Sequence, residues 1–453
     1  GGPGELYRDS VYPRHCFGFL GLALEAGIEA VNITESQFGI GTPRDNFPWN
    51  LSGTYVQCMP YIFSRDPRGH ERNFLADYYR TTQELASNTF RKGYQWPFHA
   101  TRMLDFGSSL FDLAVYRETQ AGRKVFMDFN RNPLSVPGDP EFNLDRLDDD
   151  VRSYLANSGA LLEMPLDRLR KMNPLSIELY KRYKYDITRD PLEFAINNQH
   201  MNGGLAVNTW GETNLAGCYA VGEAAGTHGV TRPGGAALNA GQVFGTRCAE
   251  HIASSRKPHG ATKLEKPVVE EAIAGVLDAL RTDSALKPAA IRKEVQDRMS
   301  DHAGILCNAK DVKAAREAAH ALNESIRQRG IAFDGASDAL RALQWRQSAI
   351  ASEAVLAALA FYLDRGGGSR GGRTVCAANG DRTPETRRGP LNEVRFVSER
   401  DEDRREQIRV RFRDGKFVCE PQSLRRRDRD FRPFFERDWP DYLTGAIHAL
   451  SAD

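Results

Sequence analysis

The sequence lacks the patterns that mark disulfide frameworks, metal ribbons and membrane proteins. Its seven cysteines are scattered through 453 residues, and no two have C-x-x-C spacing. The absence of this spacing argues against a zinc ribbon or an iron–sulfur cluster. Scattered single cysteines favour a reducing compartment. No apolar run is as long as a membrane span, and no secretory signal opens the chain. We therefore expect a cytoplasmic protein without a transmembrane segment.

An excess of either charge is also absent. The 61 basic residues face 60 acidic ones, which gives a formal net charge of +1. A balanced charge indicates neither a nucleic-acid partner nor a membrane surface. With 453 residues, the chain is long enough for two to four domains with substantial cores. Composition therefore favours a multidomain globular protein.

Glycine is concentrated in one stretch, residues 197–252. An apolar run at 217–221 predicts a buried strand. A glycine-rich loop follows at 228–235, HGVTRPGG, and then a helix that begins near Ala236. Because the free N–H groups and the dipole of a helix N-terminus point the same way, a bare Gly-Gly approach to this helix suits negative charge. The alternative is a strand-turn-helix corner with no ligand.

This stretch carries a family resemblance. Residues 217–245, GCYAVGEAAGTHGVTRPGGAALNAGQVFG, resemble the C-terminal FAD-binding segment of the succinate dehydrogenase/fumarate reductase flavoprotein family. The resemblance implies FAD as cofactor, with Glu223 on its ribityl or ribose hydroxyls and the backbone of 235–238 at the pyrimidine edge of the flavin. The implied cofactor-binding residues are Gly1, Gly2, Gly222, Glu223, Gly234, Gly235, Ala236, Ala237 and Leu238.

The start of the chain also resembles part of that family. Residues 1–7, GGPGELY, are similar to the end of the family segment ATGG-x-x-x-LY, which follows a dinucleotide fingerprint. Here no initiator methionine precedes these residues, and no G-x-G-x-x-G follows a strand. We therefore expect a fragment that lacks the N-terminal half of its FAD-binding domain.

The predicted fold class is α/β (α+β). The resemblance implies the C-terminal part of a glutathione-reductase-like FAD-binding domain, an inserted capping domain, a C-terminal helical bundle and a small β-hairpin tail. The predicted boundaries are 1–41 and 196–260 for the FAD-binding domain, 42–195 for the capping domain, 266–365 for the helical domain and 366–453 for the tail.

Local patterns add further predictions. Residue spacing predicts one strand over 30–38 and continuous helices over 166–185 and 289–329. Asp414-Gly415 marks a hairpin turn. The run GGGSRGGR at 366–373 is either a flexible linker or a loop that approaches the flavin, and its composition favours the linker.

The capping segment departs from the family at three places. In the alignment a substrate-side histidine falls on Gly39, a Thr-Glu pair falls near Thr54-Tyr55, and a proton-donating arginine falls on Ser108. None of these residues is cationic, so none can clamp a carboxylate as a guanidinium does. The resemblance therefore implies a substrate other than fumarate or succinate, with at most one carboxylate and a larger apolar body.

Arg232 is the first catalytic candidate, because a guanidinium beside the flavin can bind a carboxylate or a carbonyl. The alternative is a structural residue that bridges the loop and the cap. His228 and His200 are second candidates, as orienting groups. A slip of one residue against the family pattern would put Gln199 in the place of His200, and both registers stay open.

We expect an FAD-dependent oxidoreductase that transfers hydride between a substrate carbon and flavin N5. The expected partners are a small-molecule substrate and an electron-transfer subunit, without nucleic acid. The alternative is a flavin-fold protein that has lost catalysis and serves as an assembly or electron-relay subunit. The spacing of the histidines and cysteines predicts no metal site.

Overall fold

The computed structural model describes residues 4–12, 16–44, 51–255, 265–424 and 433–449. It is a mixed structure of helices and strands. The helices are α1 Leu20–Glu25, α2 Thr54–Gln57, α3 Thr82–Lys92, α4 Ser109–Gln120, α5 Asp149–Asn157, α6 Pro165–Met172, α7 Pro174–Arg182, α8 Ala236–Ser255, α9 Lys266–Leu277, α10 Pro288–His302, α11 Ala309–Arg329, α12 Gly335–Asp364 and α13 Trp439–Thr444. The strands are β1 Ala30–Val31, β2 Ser36–Gly41, β3 Tyr61–Arg65, β4 Glu71–Arg72, β5 Lys124–Asp128, β6 Leu192–Met201, β7 Gly204–Leu205, β8 Leu306–Cys307, β9 Thr374–Val375, β10 Glu385–Thr386, β11 Gly389–Pro390, β12 Glu406–Arg413 and β13 Lys416–Ser423.

Two sheets organise the molecule. The larger has the strand order β2-β6-β5-β3-β4, and the second has the order β13-β12-β1-β7. In the second sheet Ala30 lies opposite Leu205 on one side and Val410 on the other. The predicted hairpin turn is confirmed, since Asp414 and Gly415 both have positive φ, 49° and 75°, as a tight two-residue turn between strands requires.

The single strand predicted over 30–38 is wrong, because the chain forms two strands that belong to different sheets. β1 ends at Val31, and Asn32 adopts a left-handed conformation with φ of 55°. The Glu35 N–H then donates to the Asn32 carbonyl (2.8 Å), and β2 begins at Ser36. Asparagine adopts this conformation more readily than most residues, but the alternating pattern carried no sign of it.

The buried strand predicted at 217–221 is also wrong. This segment pairs only at Tyr219, through an isolated bridge to Glu212. Between them the Thr213 N–H donates to the Cys218 carbonyl at 3.0 Å, which closes a tight loop. A strand needs a hydrogen-bonding neighbour along its length, and in the described part of the chain this segment has only that one bridge.

Both continuous helices predicted from spacing are divided. The run 166–185 breaks at Asn173, because Pro174 lacks an N–H and starts a new helix, α7. The run 289–329 breaks after His302, where β8 separates α10 from α11. The helix predicted near Ala236 is confirmed as α8. Within the described residues, none of the helices is both long and apolar enough to span a bilayer.

The glycine run at 366–373 is not a flexible linker. Residues 367–373 are buried, and a Cβ on Gly368 would lie 1.9 Å from the Ser398 carbonyl oxygen. A Cβ on Gly372 would lie 2.2 Å from the Ser36 carbonyl oxygen. The glycines are therefore present because neighbouring backbone approaches closely, and the run packs directly on β2.

The hydrophobic core is shared by the sheets and the helical bundle. The main cluster extends from β5 and β6 to α12, and a smaller cluster around Phe90 lies between α3 and α5. β6 belongs to the larger sheet and ends one turn before β7 of the second sheet. The residues at the end of β6 are therefore held between the two sheets.

Candidate functional site

The three predicted catalytic side chains meet at the end of β6. His200 is only 3% exposed and pairs with Gln37 of β2. Its Nε2 lies 2.8 Å from Nδ1 of His228, in the loop that precedes α8. The same loop is tied to β2, because the Gln37 side-chain amide donates to the carbonyl of Arg232 at 3.1 Å. The fold thus brings together residues 28 to 32 positions apart in sequence.

Glu223 joins this cluster from a short 3₁₀ helix, Gly222–Ala224. Its Oε1 accepts hydrogen bonds from the Met201 N–H (3.1 Å) and from the Tyr12 hydroxyl. The same oxygen lies 3.2 Å from Nδ1 of His200. Among the described residues, Oε2 has no hydrogen-bond donor. One carboxylate oxygen therefore organises the surrounding protein, and the Glu223 side chain is still 18% exposed. No sequence pattern pointed to Tyr12.

A β-bulge determines which side chain of β6 faces His228. Gln37 pairs with His200 and Phe38 pairs with Asn198, so Gln199 is the extra residue. Gln199 contacts the cap instead, where its Oε1 accepts from the Trp96 indole N–H at 2.5 Å. The bulge therefore separates the two residues that the sequence left as alternatives.

Tyr55 and Ser108, two of the three positions at which we expect the sequence to depart from the family, are buried. Tyr55 is 4% exposed and packs edge-on against Tyr180, with ring centroids 6.0 Å apart. Ser108 is 1% exposed and donates to Oε1 of Gln95 at 2.5 Å. Neither hydroxyl is presented to a cleft, and neither position carries a positive charge.

The electrostatics of the cluster keep both imidazoles neutral. Burial lowers the pKa of His200 to about 3, and the charge of Arg232 acts in the same direction. Burial, with Arg232, also lowers the pKa of His228. Desolvation disfavours the charged form of any base. Above about pH 7 both rings therefore carry one proton each, beside a guanidinium that stays charged.

A second set of contacts holds the loop 228–235 in place. The Asn202 side chain donates to the Val230 carbonyl at 2.7 Å. Behind the loop, Arg370 donates to Oε1 of Glu35 at 2.8 Å in a buried ion pair. An added Cβ on Gly371 would lie 2.9 Å from the Val230 carbonyl oxygen. The glycine run thus packs against the loop 228–235.

The approach to α8 fits the flavin that the resemblance implies. At Gly229, Gly234 and Gly235 an added Cβ would meet no atom within 4 Å, so the backbone is open to a flat ligand. Beside it, Nε2 of His228 and Nε of Arg232 are buried without a hydrogen-bond partner in the described residues. An open glycine surface at a helix N-terminus, bordered by unpartnered polar atoms, suits the polar edge of a flavin. Gly1 and Gly2 lie outside the described residues.

Comparison with known proteins agrees with this geometry. Residues 3–238 match the family model described as FAD binding domain. Over 135 residues the chain is 34% identical to one subunit of the fumarate reductase (CoM/CoB) of Methanothermobacter marburgensis, and the match covers 29% of this chain and 24% of that protein. Over 123 residues it is 33% identical to the L-aspartate oxidase of Bacillus subtilis, with coverage of 27% and 21%.

The fold is similar to solved flavoproteins. The E. coli quinol fumarate reductase FrdA gives a TM-score of 0.57 at 18% identity, over 94% of this chain and 64% of that one. The Mycobacterium smegmatis Sdh1 in complex with UQ1 gives 0.60 at 18% identity, over 94% and 61%. The chain therefore spans less than two thirds of their length. Because the family model covers more than half of the 453 residues, the chain belongs to the FAD-binding-domain family of the succinate dehydrogenase/fumarate reductase flavoproteins.

Proposed function

We propose that this protein is an FAD-dependent oxidoreductase that transfers hydride between a substrate carbon and flavin N5. The observation that supports it most is the meeting of Arg232, His228 and His200 at the open glycine approach to α8. When bound, FAD supplies the two-electron chemistry. The residues of this chain position the substrate, exclude water and handle the proton.

The cofactor is held by the glycine loop and the start of α8. Unsatisfied backbone N–H groups and the helix dipole stabilise negative charge at the pyrimidine edge. Oε2 of Glu223 accepts from a hydroxyl of the ribityl or ribose part. The proposed cofactor-binding residues in the described part of the chain are Gly222, Glu223, Gly234, Gly235, Ala236, Ala237 and Leu238.

Arg232 is proposed to bind the carboxylate or carbonyl of the substrate. Its Nη1 donates to the Pro233 carbonyl at 3.1 Å, and its Nε is buried without a partner. In the part of the chain that the structure describes, no carboxylate lies within ion-pair distance of Arg232. A partly buried guanidinium that forms no ion pair with the described residues favours an anionic or strongly dipolar ligand. This absence supports the ligand-binding role over a structural ion pair.

The substrate is proposed to be neither fumarate nor succinate. A dicarboxylate needs cations at both ends, and the cap offers Gly39, Tyr55 and Ser108 where the family has its polar groups. Arg232 binds one carboxylate, and the other would find no cation at these cap positions, at a desolvation cost of roughly several kcal/mol. A substrate with one carboxylate and a larger apolar body fits better.

The test is anaerobic stopped flow on the photoreduced, flavin-loaded protein, with crotonate and cinnamate as acceptors. Saturable reoxidation of the flavin by either monocarboxylate supports the proposal. Bound flavin that neither compound reoxidises would favour the non-catalytic or electron-relay alternative and overturn the enzymatic proposal. We also propose an electron-transfer partner, because one curated relative is itself named as a subunit.

A further inference from the structure

Three polar side chains form a continuous chain of contacts that ends at an unused nitrogen. Oε1 of Glu223 lies 3.2 Å from Nδ1 of His200. Nε2 of His200 lies 2.8 Å from Nδ1 of His228. At the far end, Nε2 of His228 is buried and has no hydrogen-bond partner in the described residues. The chain therefore runs from a carboxylate to an imidazole nitrogen beside the flavin approach.

The order of donors along this chain follows from elementary chemistry. An ionised carboxylate can only accept a hydrogen bond, so the proton of neutral His200 lies on Nδ1. Its Nε2 then carries a lone pair and accepts from Nδ1–H of His228. Neutral His228 has only that one proton, so its Nε2 carries a lone pair as well. The carboxylate of Glu223 thus sets the tautomer of both rings.

We propose that Nε2 of His228 exchanges the proton of the reaction, and that His200 and Glu223 hold this ring in the lone-pair tautomer and then pass the proton on. This inference rests on the proposed function. Other groups nearby are less suited to the task. Arg232 stays protonated. The hydroxyl of Tyr12 is committed to Glu223, and burial with that carboxylate raises the pKa of Tyr12.

In the direction of substrate oxidation, every proton and electron that leaves the substrate has an acceptor. The C–H bond on one carbon breaks as a proton, which forms a bond to Nε2 of His228. FAD, when bound, would supply the acceptor for the hydride and both electrons of the neighbouring carbon. Nδ1–H of His228 then passes to Nε2 of His200, and Nδ1–H of His200 passes to Oε1 of Glu223. Both rings end neutral, and the reverse sequence delivers a proton for reduction.

This relay suits the local charges. An imidazolium at either ring would face the positive charge of Arg232. Burial is the larger cause of the lowered pKa of both histidines, and Arg232 is the second. Passing the proton on to Glu223 avoids that charge. Among the described residues, the titratable or charged groups around the pair are Glu223, Arg232 and Tyr12.

The first test needs no flavin and no substrate. Nitrogen-15 NMR of histidine-labelled protein reports which ring nitrogen carries the proton. We expect the Nδ1–H tautomer at both His200 and His228 in wild type, and loss of that uniform preference in Glu223→Gln. The matched control is Glu353→Gln, which removes another histidine–carboxylate pair, with His320 (2.9 Å), and should leave both signals unchanged. An Nε2–H tautomer at His228 would overturn the inference.

The second test uses the flavin-loaded protein. A glutamine at 228 keeps a donor to His200 but has no base, so His228→Gln should bind flavin and lose turnover by about 100- to 10,000-fold. The solvent deuterium isotope effect of the remaining turnover should differ from that of wild type, which a purely structural role would not produce. Wild-type turnover in His228→Gln would overturn the relay and leave the proposed function intact. Wild-type protein that binds flavin without turnover would overturn the proposed function. The histidine tautomers are measured without turnover, so the first test does not depend on that outcome.

Discussion

The amide of Gln199 fills the space beside Gly39, with its Oε1 2.8 Å from where a Cβ on Gly39 would lie. The same oxygen accepts from the Trp96 indole. The β-bulge that places Gln199 there also directs His200 toward His228. One inserted residue thus closes the cap side with a neutral amide and completes the imidazole pair on the other side.

The first prediction follows from the neutral amide of Gln199 on the cap side. Millimolar fumarate should not rapidly reoxidise the photoreduced, flavin-loaded protein under anaerobic conditions, because one guanidinium cannot hold two carboxylates. Stopped-flow absorbance of the flavin measures the rate, and crotonate is the matched acceptor with one carboxylate. Reoxidation by fumarate faster than by crotonate would show that a second cation reaches the substrate.

Arg232→Lys should keep the flavin bound and lower turnover by roughly two to four orders of magnitude, because a point charge replaces a two-pronged donor. Steady-state kinetics and the flavin absorbance are the measurements. Arg327→Lys is the control, since Arg327 is exposed and pairs with Glu324 on the same helix. Loss of flavin in Arg232→Lys would instead assign this residue to holding the loop.

The cap contains a buried ion pair whose separation should be costly. Nζ of Lys92 lies 2.6 Å from Oδ2 of Asp112, and both side chains are 0% exposed. Lys92→Met leaves the carboxylate alone and should lower the free energy of unfolding by about 3–5 kcal/mol. The double variant Lys92→Met/Asp112→Leu should recover most of this loss in denaturant titrations. A double variant as unstable as the single one would contradict this account.

Glu5 should make stability depend on pH. Burial raises its pKa from 4.5 to about 7, so the folded state binds this proton more tightly than the unfolded chain. The contribution is complete below pH 4.5 and is lost as pH rises through 7. The loss amounts to roughly 3 kcal/mol. Glu5→Gln should therefore be more stable than wild type at pH 8 but not at pH 4.5.

Urea titrations at those two values measure the effect. Oε1 of Glu5 accepts from the Gly18 N–H and the Ser348 hydroxyl, both at 3.2 Å, and a glutamine oxygen can keep both bonds. Glu317→Gln, which removes an exposed carboxylate on α11, is the control. Parallel pH profiles of wild type and Glu5→Gln would exclude Glu5 as the cause.

The close packing of the glycine run can be tested by one methyl group. Gly368→Ala should lower the free energy of unfolding by about 1–3 kcal/mol or more, because the new Cβ meets the Ser398 carbonyl. The control is Gly275→Ala in the exposed helix α9, where an added Cβ would meet no atom within 4 Å. It should raise stability by up to about 1 kcal/mol. A tolerated Gly368→Ala would restore the linker interpretation.

Sequence reasoning found the loop and helix around Arg232 because their glycines and spacing are local signals. It failed where one residue changes the backbone direction, as Asn32 does between β1 and β2. It also failed where a strand needs a distant neighbour, as at 217–221. Periodicity describes a face that can be buried and does not say what will cover it.

Contacts between residues far apart in the chain could not be predicted from the sequence, for a different reason. The hydroxyl of Tyr12 meets Glu223 across 211 positions, and Lys92 meets Asp112 from another helix. A charged or hydroxyl side chain is compatible with many solvent-facing positions, so its type alone does not reveal a partner. The family resemblance supplied roles for Glu223 and Arg232, but it gave no indication of the bulge at Gln199.

The pairing of Ala30 with Val410 has a consequence for biosynthesis. β1 receives β7 as a neighbour once residue 205 has been made, but its other edge stays uncovered until the hairpin of β12 and β13 emerges from the ribosome. Pairings of such long sequence separation form slowly, and an uncovered strand edge is prone to association with other chains. The nascent protein therefore carries an exposed strand edge while residues 206–405 are being made, when a chaperone would protect it best.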